Sequence, residues 1–144
     1  MARTLIVGYG NTLRRDDGFG WYAAERLRRE IDDPEVEVMA LHQLTPELME
    51  PLSRAERVIF IDAAVPVAAA SQAGAAGHAS FTHHLTPGAL VAGARTLYGH
   101  APEAIVLTAP GENFDLGEGL SEPIERALEE TLDKVRAMLH PAPG

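Results

Sequence analysis

Two adjacent carboxylates, Asp16 and Asp17, stand late in the glycine-rich stretch Gly8-Tyr9-Gly10-Asn11-Thr12-Leu13-Arg14-Arg15-Asp16-Asp17-Gly18-Phe19-Gly20. A further carboxylate, Asp62, closes an apolar run, and the neighbouring histidines His83 and His84 precede a segment with helical spacing. Carboxylate oxygens together with an imidazole make a mixed O/N donor set, open to water or another ligand. Such a set suits a borderline divalent ion such as Ni²⁺, Zn²⁺ or Mn²⁺ better than a soft metal. Each residue also has a plainer use. Asp16 or Asp17 can cap the helix that follows, Asp62 can cap a turn, and paired histidines are commonly surface residues. His42 can line the same rim, or bond the backbone as a structural histidine.

Other chemistries fail on spacing. A dinucleotide fingerprint requires a third glycine where Leu13 stands. A phosphate-binding loop requires Gly-Lys-Ser/Thr at its end, and the Asp-Asp-Gly found here would repel a phosphate. None of Ser53, Ser71, Ser80 or Ser121 lies in a Gly-x-Ser-x-Gly elbow, and no His-Glu-x-x-His occurs. The absence of cysteine excludes disulfides, thiolate metal sites and cysteine nucleophiles.

Positioning such a site is within reach of one domain spanning 1–144, since 144 residues at 46% hydrophobic supply a single core. The net charge of −9 disfavours nucleic acid and anionic membranes as partners. Met1-Ala2-Arg3-Thr4 runs straight into a strand pattern without the apolar core of a signal peptide, and no apolar run reaches the roughly 18 residues of a membrane span. A soluble, cytoplasmic protein is expected.

Leu5-Ile6-Val7 reads as a strand, the glycine stretch as a strand-to-helix turn, and Phe19, Ala23, Leu27 and Ile31 as the apolar stripe of a helix ending near Asp32-Asp33-Pro34. Val36 to Leu41 reads as a second strand, followed by a helix with Thr45 as N-cap, Pro46 at its first position, and Leu48, Met49 and Leu52. Arg57-Val58-Ile59-Phe60-Ile61-Asp62 holds four consecutive apolar residues, the pattern of a strand buried on both faces of a parallel sheet. Residues 63–79, rich in Ala, Gly and Ser, read as a long flexible connection. A short edge strand over 79–82, a helix presenting Leu90, Val91, Ala94 and Leu97, a strand over 104–108 and a long helix from Ser121 complete the chain. That order predicts an α/β three-layer sandwich, with a mostly parallel five-stranded sheet and helices on both faces. In this architecture ligands bind outside the carboxyl ends of the strands, where the glycine loop, Asp62 and the loop after Thr108 all emerge.

Several of these residues, taken in order, match a known family. Gly8-x-Gly10-Asn11-x-Leu13-x-x-Asp16-Asp17-Gly18-x-Gly20, the Ile61-Asp62-Ala63 strand end, the histidine before the later helix, and Pro110-Gly111 through Gly117-x-Gly119-Leu120-Ser121 resemble the hydrogenase maturation endopeptidases. The resemblance covers nearly the whole chain. It implies an aspartyl-type peptidase that removes the C-terminal extension of a [NiFe] hydrogenase large-subunit precursor after nickel insertion. By position it makes Asp17, Asp62 and His83 the nickel-recognising ligands, with Asp17 and Asp62 carrying catalysis and Asp16 left to a structural task. A shift of one residue selects His84. The nickel is expected to arrive with the substrate, leaving the isolated protein's site empty or holding another divalent cation. Where many relatives carry a glycine-rich turn after the second strand, this chain has His42-Gln43-Leu44-Thr45-Pro46-Glu47, similar to the branch that serves bidirectional, NAD-linked hydrogenases. The alternatives are a metal-dependent chaperone that holds the precursor without cutting it, and a small-molecule hydrolase on the same architecture.

Overall fold

The structure, a computed structural model, describes residues 3–64 and 85–140. Its elements in chain order are β1 (Thr4–Tyr9), α1 (Phe19–Glu30), β2 (Val36–Leu41), α2 (Met49–Arg54), β3 (Arg57–Ala64), α3 (Pro87–Tyr98), β4 (Glu103–Pro110) and α4 (Glu122–Leu139). The four strands form one sheet in the order β2-β1-β3-β4, and every pairing is parallel. This is the expected α/β architecture, with four strands among the described residues. The fifth strand, expected over 79–82, lies outside them, as does most of the Ala/Gly-rich connection, although Ala63 and Ala64 belong to β3.

Alternation along the strands divides the core into two layers. Ile6, Ile59 and Ile61 point to one face and pack with Phe19, Ala23 and Leu27 of α1 and with Ile124, Leu128, Leu132 and Val135 of α4. Leu5, Val7, Val58 and Phe60 point to the other, against Leu48 and Leu52 beside and within α2 and Leu90 and Ala94 of α3. The chain moves from β1 outward to β2, then back across β1 to β3. Right-handed crossovers in opposite directions place α1 and α2 on opposite faces, which produces the three layers. Val58 through Ile61 are fully buried, as four consecutive apolar residues require of a strand covered on both sides. Leu97 departs from the expected stripe and is 68% exposed. The whole last turn of α3, Arg95 to Tyr98, is exposed.

The reversal of winding between β1 and β3 opens a crevice at their carboxyl ends. Close contact between α1 and these strands frames it. A Cβ at Gly20 would fall well inside contact distance of the carbonyl oxygens of Ile61 and Tyr9, and one at Gly8 would collide with Gly20 and Ala24. Gly20→Ala is therefore expected to push α1 off the sheet and cost roughly 1–3 kcal/mol, as overpacking does. Urea denaturation checks this, and a variant of wild-type stability would show that the helix seat is not fixed by this contact.

Candidate functional site

The glycine stretch folds back on itself before α1 begins. Asn11 accepts a hydrogen bond at Oδ1 from the Leu13 amide (2.9 Å), and the Asn11 amide donates to Asp17 Oδ2 (2.9 Å), so the turn holds the Asp17 carboxylate against its own start. Gly10 is required there because the Asp17 carbonyl occupies the space a Cβ would take. Arg15–Gly18 form a 3-10 turn that runs into α1, and neither aspartate caps the helix, whose N-cap is Gly18.

Asp16 instead reaches across to the loop after β4. Its carboxylate is fully buried and accepts from the amides of Glu112 (2.8 Å), Asn113 (2.9 Å) and Ser121 (2.7 Å) and from the Ser121 hydroxyl (2.8 Å). The backbones join as well. Arg15 donates to the Gly117 carbonyl, Gly117 to that of Leu13, and Asp16 to that of Asn113. Arg15 is held between them at a φ of 46°, a left-handed conformation unusual for a side-chain-bearing residue. The glycine loop and the β4–α4 loop are thus one clasped unit, on which Asp17 is mounted.

Burial would raise the Asp16 pKa, but the bonds from the Ser121, Asn113 and Glu112 amides and the Ser121 hydroxyl outweigh it and hold the carboxyl below its ordinary 3.8. An isolated helix cap would cost about 1 kcal/mol to remove. Here Asp16→Ala strands several amides at once and is expected to cost roughly 3 kcal/mol, read as a lower urea midpoint at unchanged m-value. In the wild type the unfolded chain takes up the proton before the folded one does. Stability from Asp16 is complete above the ordinary aspartate pKa and is lost as pH falls through the lower folded value. The variant's acid limb should be shallower, and an unchanged limb would show that the clasp does not depend on the charge.

Asp62 does not end β3 as expected but lies two residues before its last residue, Ala64, because pairing with β4 continues through Pro110. Asp62 pairs with Thr108 of β4, and one step beyond the Gly8–Ile61 pair it stands beside Tyr9 of β1. Tyr9 donates its hydroxyl to Asp62 Oδ2 (2.6 Å), and Thr108 donates to Oδ1 (2.7 Å). Burial first, then the hydrogen bond and charge of Asp62, then the charge of Asp17, push the Tyr9 phenol far above its ordinary pKa, so it remains a donor.

Asp17, Asp62 and Tyr9 line one cavity of about 820 Å³ at the carboxyl edge, together with Asn11, His42 and Leu85 among others. No Arg or Lys is among its described lining residues. His42 lies here, as a position just after β2 dictates, with its ring parallel to that of Trp21 at a centroid separation of 6.3 Å. His83 and His84 lie outside the described residues. Among the described residues, no three His, Asp or Glu side chains converge to hold a metal ion. No described helix is long and apolar enough to cross a membrane.

Carboxylates that line one cavity with no Arg or Lys among the described lining residues favour a cation, or a polarised group carried by a substrate, over an anion. Sequence reasoning places Asp17 and Asp62 on this edge but misses Tyr9 and Thr108. The available signal is the strand ends. In parallel strands of matched register, the terminal polar residues of β1, β3 and β4 fall in one row on one face.

No protein-family model matches the chain, and no curated protein matches it by sequence. Among solved structures it is similar to the hydrogenase maturating endopeptidase HybD from E. coli, at 24% identity and a TM-score of 0.74, covering 95% of this chain and 91% of that one. It is also similar to the [NiFe] hydrogenase maturation protease HycI from Thermococcus kodakarensis, at 22% identity and a TM-score of 0.71, over 96% and 92% of the two chains. A hydrogenase 2 maturation peptidase from a Thaumarchaeota archaeon gives 22% and 0.67, over 95% and 97%. At these identities the likeness establishes a shared fold.

Proposed function

We propose that this chain is an endopeptidase that removes a C-terminal extension from the large-subunit precursor of a [NiFe] hydrogenase once nickel is in place. The observation that carries the reading is that Asp17, from the turn before α1, and Asp62, from β3, line one cavity with no Arg or Lys among its described lining residues. The fold shared with solved hydrogenase maturation proteases supports it.

In this reading the nickel belongs to the substrate. Oxygen donors from Asp17 and Asp62 suit a divalent ion, and His83, or His84 one residue on, supplies the imidazole. The same carboxylates are the groups able to orient and deprotonate a water for attack on the scissile carbonyl. Assignment to the branch serving bidirectional, NAD-linked hydrogenases rests on the sequence likeness of His42-Gln43-Leu44-Thr45-Pro46-Glu47, the first three of which line the cavity. Mass spectrometry of the nickel-loaded precursor, with and without the protein, is the test. Loss of a C-terminal peptide is the expected result, and a stable, unprocessed complex would make the protein a chaperone for that precursor instead.

A further inference from the structure

Asp62 and Asp17 are held differently. Asp17 takes one bond from a backbone amide of its own loop, whereas both oxygens of Asp62 are engaged by hydroxyls from the two flanking strands. The ring of Tyr9 packs against the layer formed with α2 and α3, so its hydroxyl is delivered to a fixed place. Thr108 is β-branched and restricted at χ1, and its strand is in register with β3 through Pro110. A carboxylate has about four lone-pair sites, of which the hydroxyls occupy one on each oxygen. One site on each oxygen then remains for a ligand or a water.

Thr108 is exposed and Asp62 half-buried, so water competes for these bonds and folding is only part of what they serve. With both oxygens of Asp62 engaged, its side chain is restricted to few rotamers.

We infer that Tyr9 and Thr108 are positioning residues for the peptidase reaction, clamping the Asp62 carboxylate in one orientation to meet the cation-bearing substrate. The inference rests on the peptidase reading above. Hydrogen-bonding partners that orient a ligating or reacting carboxylate change activity by about 10–100-fold when removed.

Tyr9→Phe and Thr108→Val each delete one hydroxyl with little change of shape, so both variants are expected to fold. Each should lower kcat for precursor processing about tenfold, and the double variant more, with KM within about twofold. Thr108→Ser, which keeps the hydroxyl, should restore kcat. Crystal structures of the metal-free wild type and the double variant provide a readout independent of activity. Asp62 should occupy one orientation in the first and several, or another, in the second. Wild-type kcat in both single variants, with Asp62→Asn inactive, would overturn the positioning role while leaving the peptidase reading intact. So would an unchanged Asp62 orientation in the double variant. Full processing by Asp62→Asn would remove the peptidase reading at this residue, and the crystallographic comparison would still decide whether the hydroxyls fix the carboxylate.

Discussion

Asp17→Asn and Asp62→Asn are each expected to lower precursor processing by about a hundredfold or more, while the melting temperature moves by no more than about 2 °C. Both substitutions remove a charge and keep the shape. In Asp17→Asn the new side-chain amide would still present an oxygen to the backbone N–H of Asn11, so the turn that carries it should survive. In Asp62→Asn the new amide would face one of the hydroxyls of Tyr9 and Thr108, each of which can turn to accept rather than donate. What is lost in either case is the anion, and with it the attraction for a cation and the ability to take a proton from water. Circular dichroism melts and gel-shift processing assays on the same preparations separate the effects. Retained processing in either variant would mean that the charge at that position takes no part in the reaction. A large fall in melting temperature would move that residue into the scaffold, beside Asp16.

The contrast between Asp16 and Asp17 shows where sequence reading succeeds. The apolar run Val58 to Ile61 and the helical stripe of Phe19, Ala23 and Leu27 each carry their own periodicity, so the strand, the helix and the edge at which Asp62 emerges are all legible locally. Asp17 is likewise tied to its own loop, six residues from its partner Asn11. Asp16 is different, because its partners lie 96 to 105 residues away in the β4–α4 loop. Nothing in local spacing distinguishes a carboxylate that caps a helix from one that clasps a distant loop, and the capping alternative is accordingly not realised. Tyr9 is hidden for a related reason. A tyrosine between two glycines reads as part of a turn, and it becomes a partner of Asp62 only when the register of β1 on β3 is known. The imidazole of the expected donor set remains a matter of sequence position, since His83 and His84 fall outside the described residues.

Processing is also expected to depend on nickel in the precursor rather than on metal added to the enzyme. Asp17 and Asp62 line one cavity, and among the described residues no Arg or Lys lines it with them to offset their charge. With one imidazole they would fill three positions of a six-coordinate ion and leave the others to donors on the precursor. A nickel-loaded precursor would bring a counter-charge to both carboxylates, whereas an empty one would bury them facing each other uncompensated. Discrimination of this kind is a difference between two affinities, so it requires the carboxylates to be penalised by the wrong substrate as well as satisfied by the right one. If the penalty and the gain together reach about 3 kcal/mol, the loaded precursor is favoured by roughly two orders of magnitude. The measurement is the rate of C-terminal cleavage of nickel-loaded and nickel-free precursor by the same enzyme preparation, with Ni²⁺ added to the enzyme alone as a third arm. Comparable rates for the first two would show that the cavity does not sense nickel. Rescue of the empty precursor by Ni²⁺ bound first to the enzyme would instead make the ion a resident of this chain, and Asp17 and Asp62 would then be judged by their affinity for it in the absence of substrate.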